Sequence, residues 1–311
     1  MALHAGLHGS LVSVRVRCPA KVNLHLEVLG RRADRYHELR TLVTAVGVWD
    51  ELEVASAPSD VLELVVDPPE AAPSGEDNLV IRAARALGAR CGVTGGALLR
   101  LTKTIPAGGG LGGGSSDAAA ALVGLSCLWG LNAEFGSLFP VAASLGADVP
   151  FFLLGGAAWG VGRGAEVYPL PDLPPWWVVL LPGPAPISTA AVYDALDDQE
   201  PNVLPASAVY QYVVAGGALP LSSCRNDLEQ TVVARWPEVA GRLKRLRATA
   251  PRLALLAGSG GTVFGLFAEE HAAWRAAEQL AGDRARVAPV LGREASRVRP
   301  VRVEEVLDGN Q

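Results

Sequence analysis

The stretch Ile105-Pro-Ala-Gly-Gly-Gly-Leu-Gly-Gly-Gly-Ser-Ser-Asp117 constrains this chain more than any other. Six glycines fall between Gly108 and Gly114, interrupted only by Leu111. Backbone so free of side chains must approach something closely or take positive φ repeatedly. Ala97 to Lys103 reads as a strand before it. Ser115, Ser116 and Asp117 carry N-cap chemistry, and Ala118 to Trp129 reads as a helix stopped by Gly130. A glycine loop feeding a helix N-terminus is an anion site: its free N–H groups point outward, and the helix dipole adds about half a positive charge. The expected guest is a polyphosphate. A Gly/Ser linker is not framed by a strand and a capped helix. The Walker A loop is excluded, because Gly114 is followed by Ser115 with no lysine between. Gly108, Gly110 and Gly113 meet the dinucleotide pattern GxGxxG only formally, since a helix follows where that motif wants a strand ending in an acid.

The chain has 311 residues, half of them apolar, enough for one large or two medium domains with a sizeable core. A net charge of −5 opposes sequence-independent nucleic-acid binding. The cysteines form no CxxC pair and the histidines no HExxH-type cluster, so a metal held by either is not expected. Widely spaced cysteines read as reduced cytoplasmic thiols. Met1 to Ser10 shows no signal peptide, and Leu138 to Val161, interrupted by Asp148 and Pro150, is not a membrane span. Strands and helices alternate without parallel-sheet regularity, which predicts an α+β fold. The proline-rich run Pro169 to Pro175 suggests a boundary between domains 1–172 and 173–311.

Val14 to Leu29 alternates, with Lys21, Asn23, His25 and Glu27 on one face and Pro19 marking a bend. Of 27 basic residues only three are lysine: Lys21, Lys103 and Lys244. Taken alone, Lys21 reads as the polar face of a strand and Lys103 as a solvated strand end. Asp148, two residues before Pro150, reads as an ordinary N-cap. Tyr193 reads equally well as a core tyrosine on a helix.

Three segments change that balance. Pro19-Ala-Lys-Val-Asn23, Ile105 to Asp117 and Gly258-Ser-Gly-Gly-Thr262 resemble the three motifs of the GHMP small-molecule kinases, in their order and at their distances. Arg31-Arg-Ala-Asp-Arg-Tyr-His-Glu-Leu39 is similar to the substrate signature of the branch acting on 4-diphosphocytidyl-2-C-methyl-D-erythritol, in the non-mevalonate route to isoprenoids. The resemblance implies an N-terminal domain like part of a ribosomal protein, a C-terminal ferredoxin-like domain, and an active site between them. It implies ATP as phosphoryl donor, Mg²⁺ held mainly by phosphates, and a small cytidine diphosphate-linked acceptor. Nucleic acid and membrane play no part, and the enzyme would be a monomer or homodimer.

The same resemblance assigns residues. Gly108, Gly109, Gly110, Leu111, Gly112, Gly113, Gly114, Ser115 and Ser116, entered through Pro106, would wrap the ATP phosphates, with Asp117 close by and Lys103 near adenine or ribose. Asp148 would take the proton of the attacking hydroxyl, and Lys21 would stabilise the developing charge. Tyr36 would stack on the cytosine and His37 read its edge, with Tyr193 as second aromatic and Asn23 at the diol or phosphate end. Gly258, Ser259 and Gly260 would brace the glycine loop and border the substrate. Arg35 stands where that family usually has glycine, and Gly261 where it usually has proline.

Overall fold

The computed structural model describes residues 13–303 other than 94, 132–134, 184, 198–207 and 216–217. The reading of Met1–Ser10 lies outside them. The first half runs β1 (Ser13–Arg31), β2 (His37–Ala57), β3 (Leu62–Asp67), α1 (Leu79–Cys91), β4 (Gly96–Thr102), α2 (Gly113–Leu128), α3 (Phe135–Leu145), α4 (Val149–Leu154), β5 (Ala157–Gly162) and β6 (Glu166–Pro169). The second runs β7 (Trp177–Leu181), α5 (Thr189–Asp197), α6 (Ala208–Ala215), α7 (Glu229–Arg235), α8 (Pro237–Ala248), β8 (Leu253–Leu256), β9 (Val263–Phe267), α9 (Glu270–Gln279), β10 (Arg286–Leu291), α10 (Arg293–Ser296) and β11 (Pro300–Val303). The architecture is α+β.

Two long strands organise the molecule. β1 and β2 pair antiparallel, with register shifts at Pro19/Ala20, Asn23/His25 and Val28/Gly30. Proline has no N–H for the ladder, so the first shift falls where the sequence placed a bend. Such irregularities turn a strand and re-aim its side chains, and Lys21 and Asn23 sit between the first two. On its other edge β2 pairs with β5 through Leu39–Thr44 and with β4 through Glu51–Ala57. β3 joins β4 in parallel. β10 bonds β2 at Ala45 and Val46 and β7 along its first residues, so the sheet continues through β7, β9 and β8.

Alternation along β1 puts Val14, Val16 and Cys18 into one core with Leu52 and Val54 of β2, Leu122 and Leu125 of α2, and Phe151 and Phe152 of α4. In the second half, Val179 and Leu181 of β7 pack with Val232 of α7, Leu243 and Leu246 of α8 and Ala273 and Ala276 of α9. The opposite face of β1 is not solvated: Lys21, Asn23, His25 and Glu27 are all buried. The second half covers this strip, and segment 224–228 is stitched to it. Leu26 N–H donates to Arg225 O at 2.8 Å, Asp227 N–H to Leu26 O at 3.0 Å, and Val28 N–H to Asp227 Oδ2 at 2.9 Å.

Three expectations need correction. Helix α2 begins at Gly113, and its N-cap is Gly112 with φ 73° and no side-chain cap, so Ser115, Ser116 and Asp117 lie within the helix rather than at its cap. Asp117 is drawn instead to a lysine. Asp148 precedes α4 but makes no side-chain cap. The strand β11 and helix α6 were not anticipated, and β11 returns to pair with Ser13–Val16 of β1 across the expected boundary at 172/173. Among the described residues no helix is long and apolar enough to cross a membrane.

Candidate active site

The glycine loop walls a cavity of about 370 Å³. Its shape is fixed from two sides. Lys21 N–H donates to Leu111 O at 2.9 Å, and Thr262 N–H to Gly109 O at 3.3 Å. The turn Ala257–Gly261 packs its backbone directly on the loop. A Cβ on Gly110, where φ is 80°, would lie 1.9 Å from Ala257 O, and one on Gly260 would lie 2.1 Å from the Gly109 carbonyl carbon. Only glycine permits that approach. Asn226 holds the turn, its Nδ2 donating to Leu256 O at 3.0 Å and Gly258 O at 2.7 Å.

Beneath the loop the Lys103 ammonium sits between two buried carboxylates, Asp50 and, at 2.7 Å, Asp117. Asp50 also accepts the N–H groups of Thr104 and Ile105, the latter at 2.8 Å, where strand β4 gives way to the loop. Burial pulls Lys103 down, but the two carboxylates outweigh it and raise it overall. Burial pushes the Asp117 carboxyl up to about 7; Lys103 opposes this and the Asp50 charge adds to it. Three buried polar atoms here have no partner among the described residues: Ser116 Oγ, Asp117 Oδ1 and Thr262 Oγ1. Buried polar atoms are ordinarily satisfied, and these three stand out beside the loop for lacking a partner.

A second cavity of about 470 Å³ runs from Tyr36, His37 and Tyr193 to Lys21, Asn23 and Asp148. The two cavities share Lys21, Ser115, Asp148, Thr189 and Ser259. At that junction Lys21, a residue only 4% exposed, has its Nζ 3.3 Å from Asp148 Oδ2 and donates to Asn23 Oδ1 at 2.8 Å. Asn23 Nδ2 donates to Thr41 Oγ1 at 2.8 Å, and that hydroxyl donates to His25 O at 2.8 Å. The ammonium is thus held by a buried chain of bonds while the Asp148 side chain stays 42% exposed. A fixed cation beside an accessible carboxylate, where a phosphate cavity meets another, is suited to moving a charged group between two bound molecules.

The pattern of the GHMP kinases N terminal domain matches residues 78–156. The 4-diphosphocytidyl-2-C-methyl-D-erythritol kinase of Paramagnetospirillum magneticum is 43% identical over 273 residues, covering 87% of this chain and 94% of the relative. That of Solibacter usitatus is 40% identical over 282 residues, covering 86% and 85%. The crystal structure of a 4-(cytidine 5'-diphospho)-2C-methyl-D-erythritol kinase superposes with a TM-score of 0.74 at 38% identity, covering 89% of this chain and 99% of that one. The chain belongs to the 4-diphosphocytidyl-2-C-methyl-D-erythritol kinase family.

Within this kinase family member, the loop residues singled out from sequence line the first cavity, Lys103, Pro106 and Asp117 included; Ser116 lies buried below it. Lys103 is no solvated strand end: two carboxylates engage it. Asn23, Tyr36, His37, Tyr193, Gly258 and Ser259 line the second cavity. Gly260 lines neither and packs on the loop instead. The aromatic residues are arranged differently from a simple pair of facing plates. His37 stacks on Tyr193 with ring centres 4.7 Å apart, while Tyr36, 58% exposed, lies under the Arg163 guanidinium at 4.7 Å. Burial, with the Asp148 charge adding to it, raises the Tyr193 hydroxyl, so that group stays neutral.

Sequence reasoning missed Asp50, Thr41 and Arg163, and the hold that Asn226 has on the glycine turn. Asn226 joins two segments: its Oδ1 accepts Leu228 N–H at 3.0 Å in the turn before α7 while its amide holds the glycine turn. Asp50 left one trace. It occupies the inward phase of Val46, Val48, Asp50, Leu52 and Val54, where an acid is out of place unless something buried answers it.

Proposed function

We propose that this chain transfers the γ-phosphoryl group of ATP to the 2-hydroxyl of 4-diphosphocytidyl-2-C-methyl-D-erythritol, with Asp148 as base and Lys21 as its electrostatic partner. The observation that carries this reading is the meeting of the two cavities at the Lys21–Asp148 pair. The loop cavity takes the triphosphate on its backbone N–H groups, and the second cavity takes the cytidine-linked acceptor. The acceptor hydroxyl attacks the γ-phosphorus, its proton passes to an Asp148 carboxylate oxygen, and the bond to the β–γ bridging oxygen breaks to release ADP. Lys21 offsets charge on the phosphoryl oxygens as they pass between the cavities.

No cluster of three or more acidic, histidine or cysteine side chains suited to a metal cage occurs among the described residues. Mg²⁺ is commonly held by one or two carboxylates together with substrate phosphates. Asp117, which lines the loop cavity, would hold it together with the phosphates. When bound, the ion would neutralise phosphate charge. The four cysteines are free thiols, which fits a reducing compartment and supports a cytoplasmic enzyme.

ADP release with ATP, Mg²⁺ and the cytidine-linked substrate tests the reading. The wild type is expected to turn over, and Asp148→Asn to lose on the order of 10²–10⁴ in kcat. An inactive wild type would reject the substrate assignment, and an active Asp148→Asn would remove Asp148 from the base role.

A further inference from the structure

Arg31, Arg35 and Arg163 line the second cavity near Tyr36, and Lys21 stands at its other end. The carboxylates in the same wall are Asp148, already paired with Lys21, and Asp194. The balance is cationic, as a doubly charged guest requires. Arg35 is the unusual member. Its backbone lies at φ 68°, in the left-handed region that a side chain with a Cβ disfavours. The turn that contains it is closed without its side chain. Arg35 N–H donates to Arg32 O at 3.1 Å, Arg32 N–H to Tyr36 O at 2.7 Å, and Tyr36 N–H to Asp34 Oδ1 at 3.1 Å. Arg32 is engaged by Asp34 and Glu38. The Arg35 guanidinium has no ion pair or hydrogen bond among the described residues. A strained backbone therefore holds an exposed arginine with no ion pair among the described residues in the wall of the cavity, next to Tyr36 in the chain.

We propose that Arg35 is a specificity-determining residue that grips the diphosphate of the cytidine-linked substrate, an inference that rests on the proposed function. The guanidinium fork matches two phosphate oxygens at once, which an ammonium cannot do. A diphosphate joined to a stacked cytosine is the group that comes within its reach.

Binding of cytidine diphosphate and of cytidine to the full chain tests this, by calorimetry on wild type, Arg35→Gly and Arg35→Lys. Glycine accepts the turn's conformation, so Arg35→Gly keeps the fold. Cytidine diphosphate is expected to bind Arg35→Gly about tenfold or more weakly, with Arg35→Lys between it and the wild type, while cytidine binds all three alike. Equal losses for both ligands would mean that Arg35 acts by aiming Tyr36, and no loss would mean that it touches neither; either result overturns the proposal. ADP release run alongside reports on the kinase assignment separately. An inactive wild type rejects that assignment, while a loss confined to cytidine diphosphate still places Arg35 on a diphosphate.

Discussion

Asp117 shares one ammonium with Asp50 and is nearly out of reach of water. An acid whose pKa rises on folding binds its proton more tightly in the folded chain. Its contribution to stability therefore falls as pH climbs from about 4, the ordinary value for aspartate, to about 7, and levels off above that. The melting temperature of Asp117→Asn is expected to gain on the wild type across that window, measured by calorimetry between about pH 4 and pH 8. A constant difference would show that Asp117 is ionised throughout. His25, on the buried strip of β1, is shifted the other way. Burial lowers it, and its Nδ1 accepts Arg225 N–H at 3.1 Å, as a neutral imidazole does. Single residues that line the two cavities were legible in the sequence where a motif surrounded them, as with Lys21 in Pro19–Asn23. Asp50 and Thr41 have no such frame. Their partners are Lys103 and Asn23, 53 and 18 positions away, and only pairing of strands brings them together.

At the scale of elements, the glycine run divides into positions with opposite tolerances. Gly110 meets the carbonyl of Ala257, so Gly110→Ala is expected to cost about 3 kcal/mol in urea unfolding and to raise KM for ATP. Gly114 belongs to helix α2, and a Cβ there would meet only Leu79 Cδ1 at an ordinary 3.8 Å. Gly114→Ala is therefore expected to leave stability unchanged or raise it by up to about 1 kcal/mol. Similar costs at both sites would contradict the packing of the two glycine turns. Composition alone does not distinguish these glycines, because their difference comes from the turn 257–261 on the far side of the chain. The same limit explains the misplaced start of α2. Serine and aspartate are good N-caps in isolation, but here the loop supplies Gly112 with a left-handed backbone, and Ser116 N–H donates to Gly112 O at 2.9 Å. The strand β11, Pro-Val-Arg-Val, is too short to show a period, and only the open edge of β1 makes it a strand.

Across the whole molecule, the C-terminal residues bind the first half as firmly as the second. Arg293 donates to three carbonyl oxygens of the first half, Gly155 at 2.8 Å, Ala157 at 3.1 Å and Leu170 at 2.7 Å. Removing it leaves those acceptors without their charged donor, so Arg293→Ala is expected to cost about 3 kcal/mol, read from chemical denaturation. A loss below about 0.5 kcal/mol, the range of ordinary surface changes, would show that the three bonds are ornamental. The proline-rich segment at 169–175 suggested where one half ends. It gave no sign that residues 293–303 cross back, since a returning arginine looks like any other in a chain whose basic residues are nearly all arginine.

The pairing of β11 with β1 also sets an order of events during synthesis. Residues 13–16 leave the ribosome long before their partners at 300–303. Until those partners emerge, the edge of β1 at residues 13–16 presents unpaired amide and carbonyl groups, the arrangement that invites a neighbouring chain to add itself. A prematurely terminated product keeps that rim open permanently. Emergence of residues 300–303 is thus the moment at which this end of β1 passes from an open edge to a paired strand.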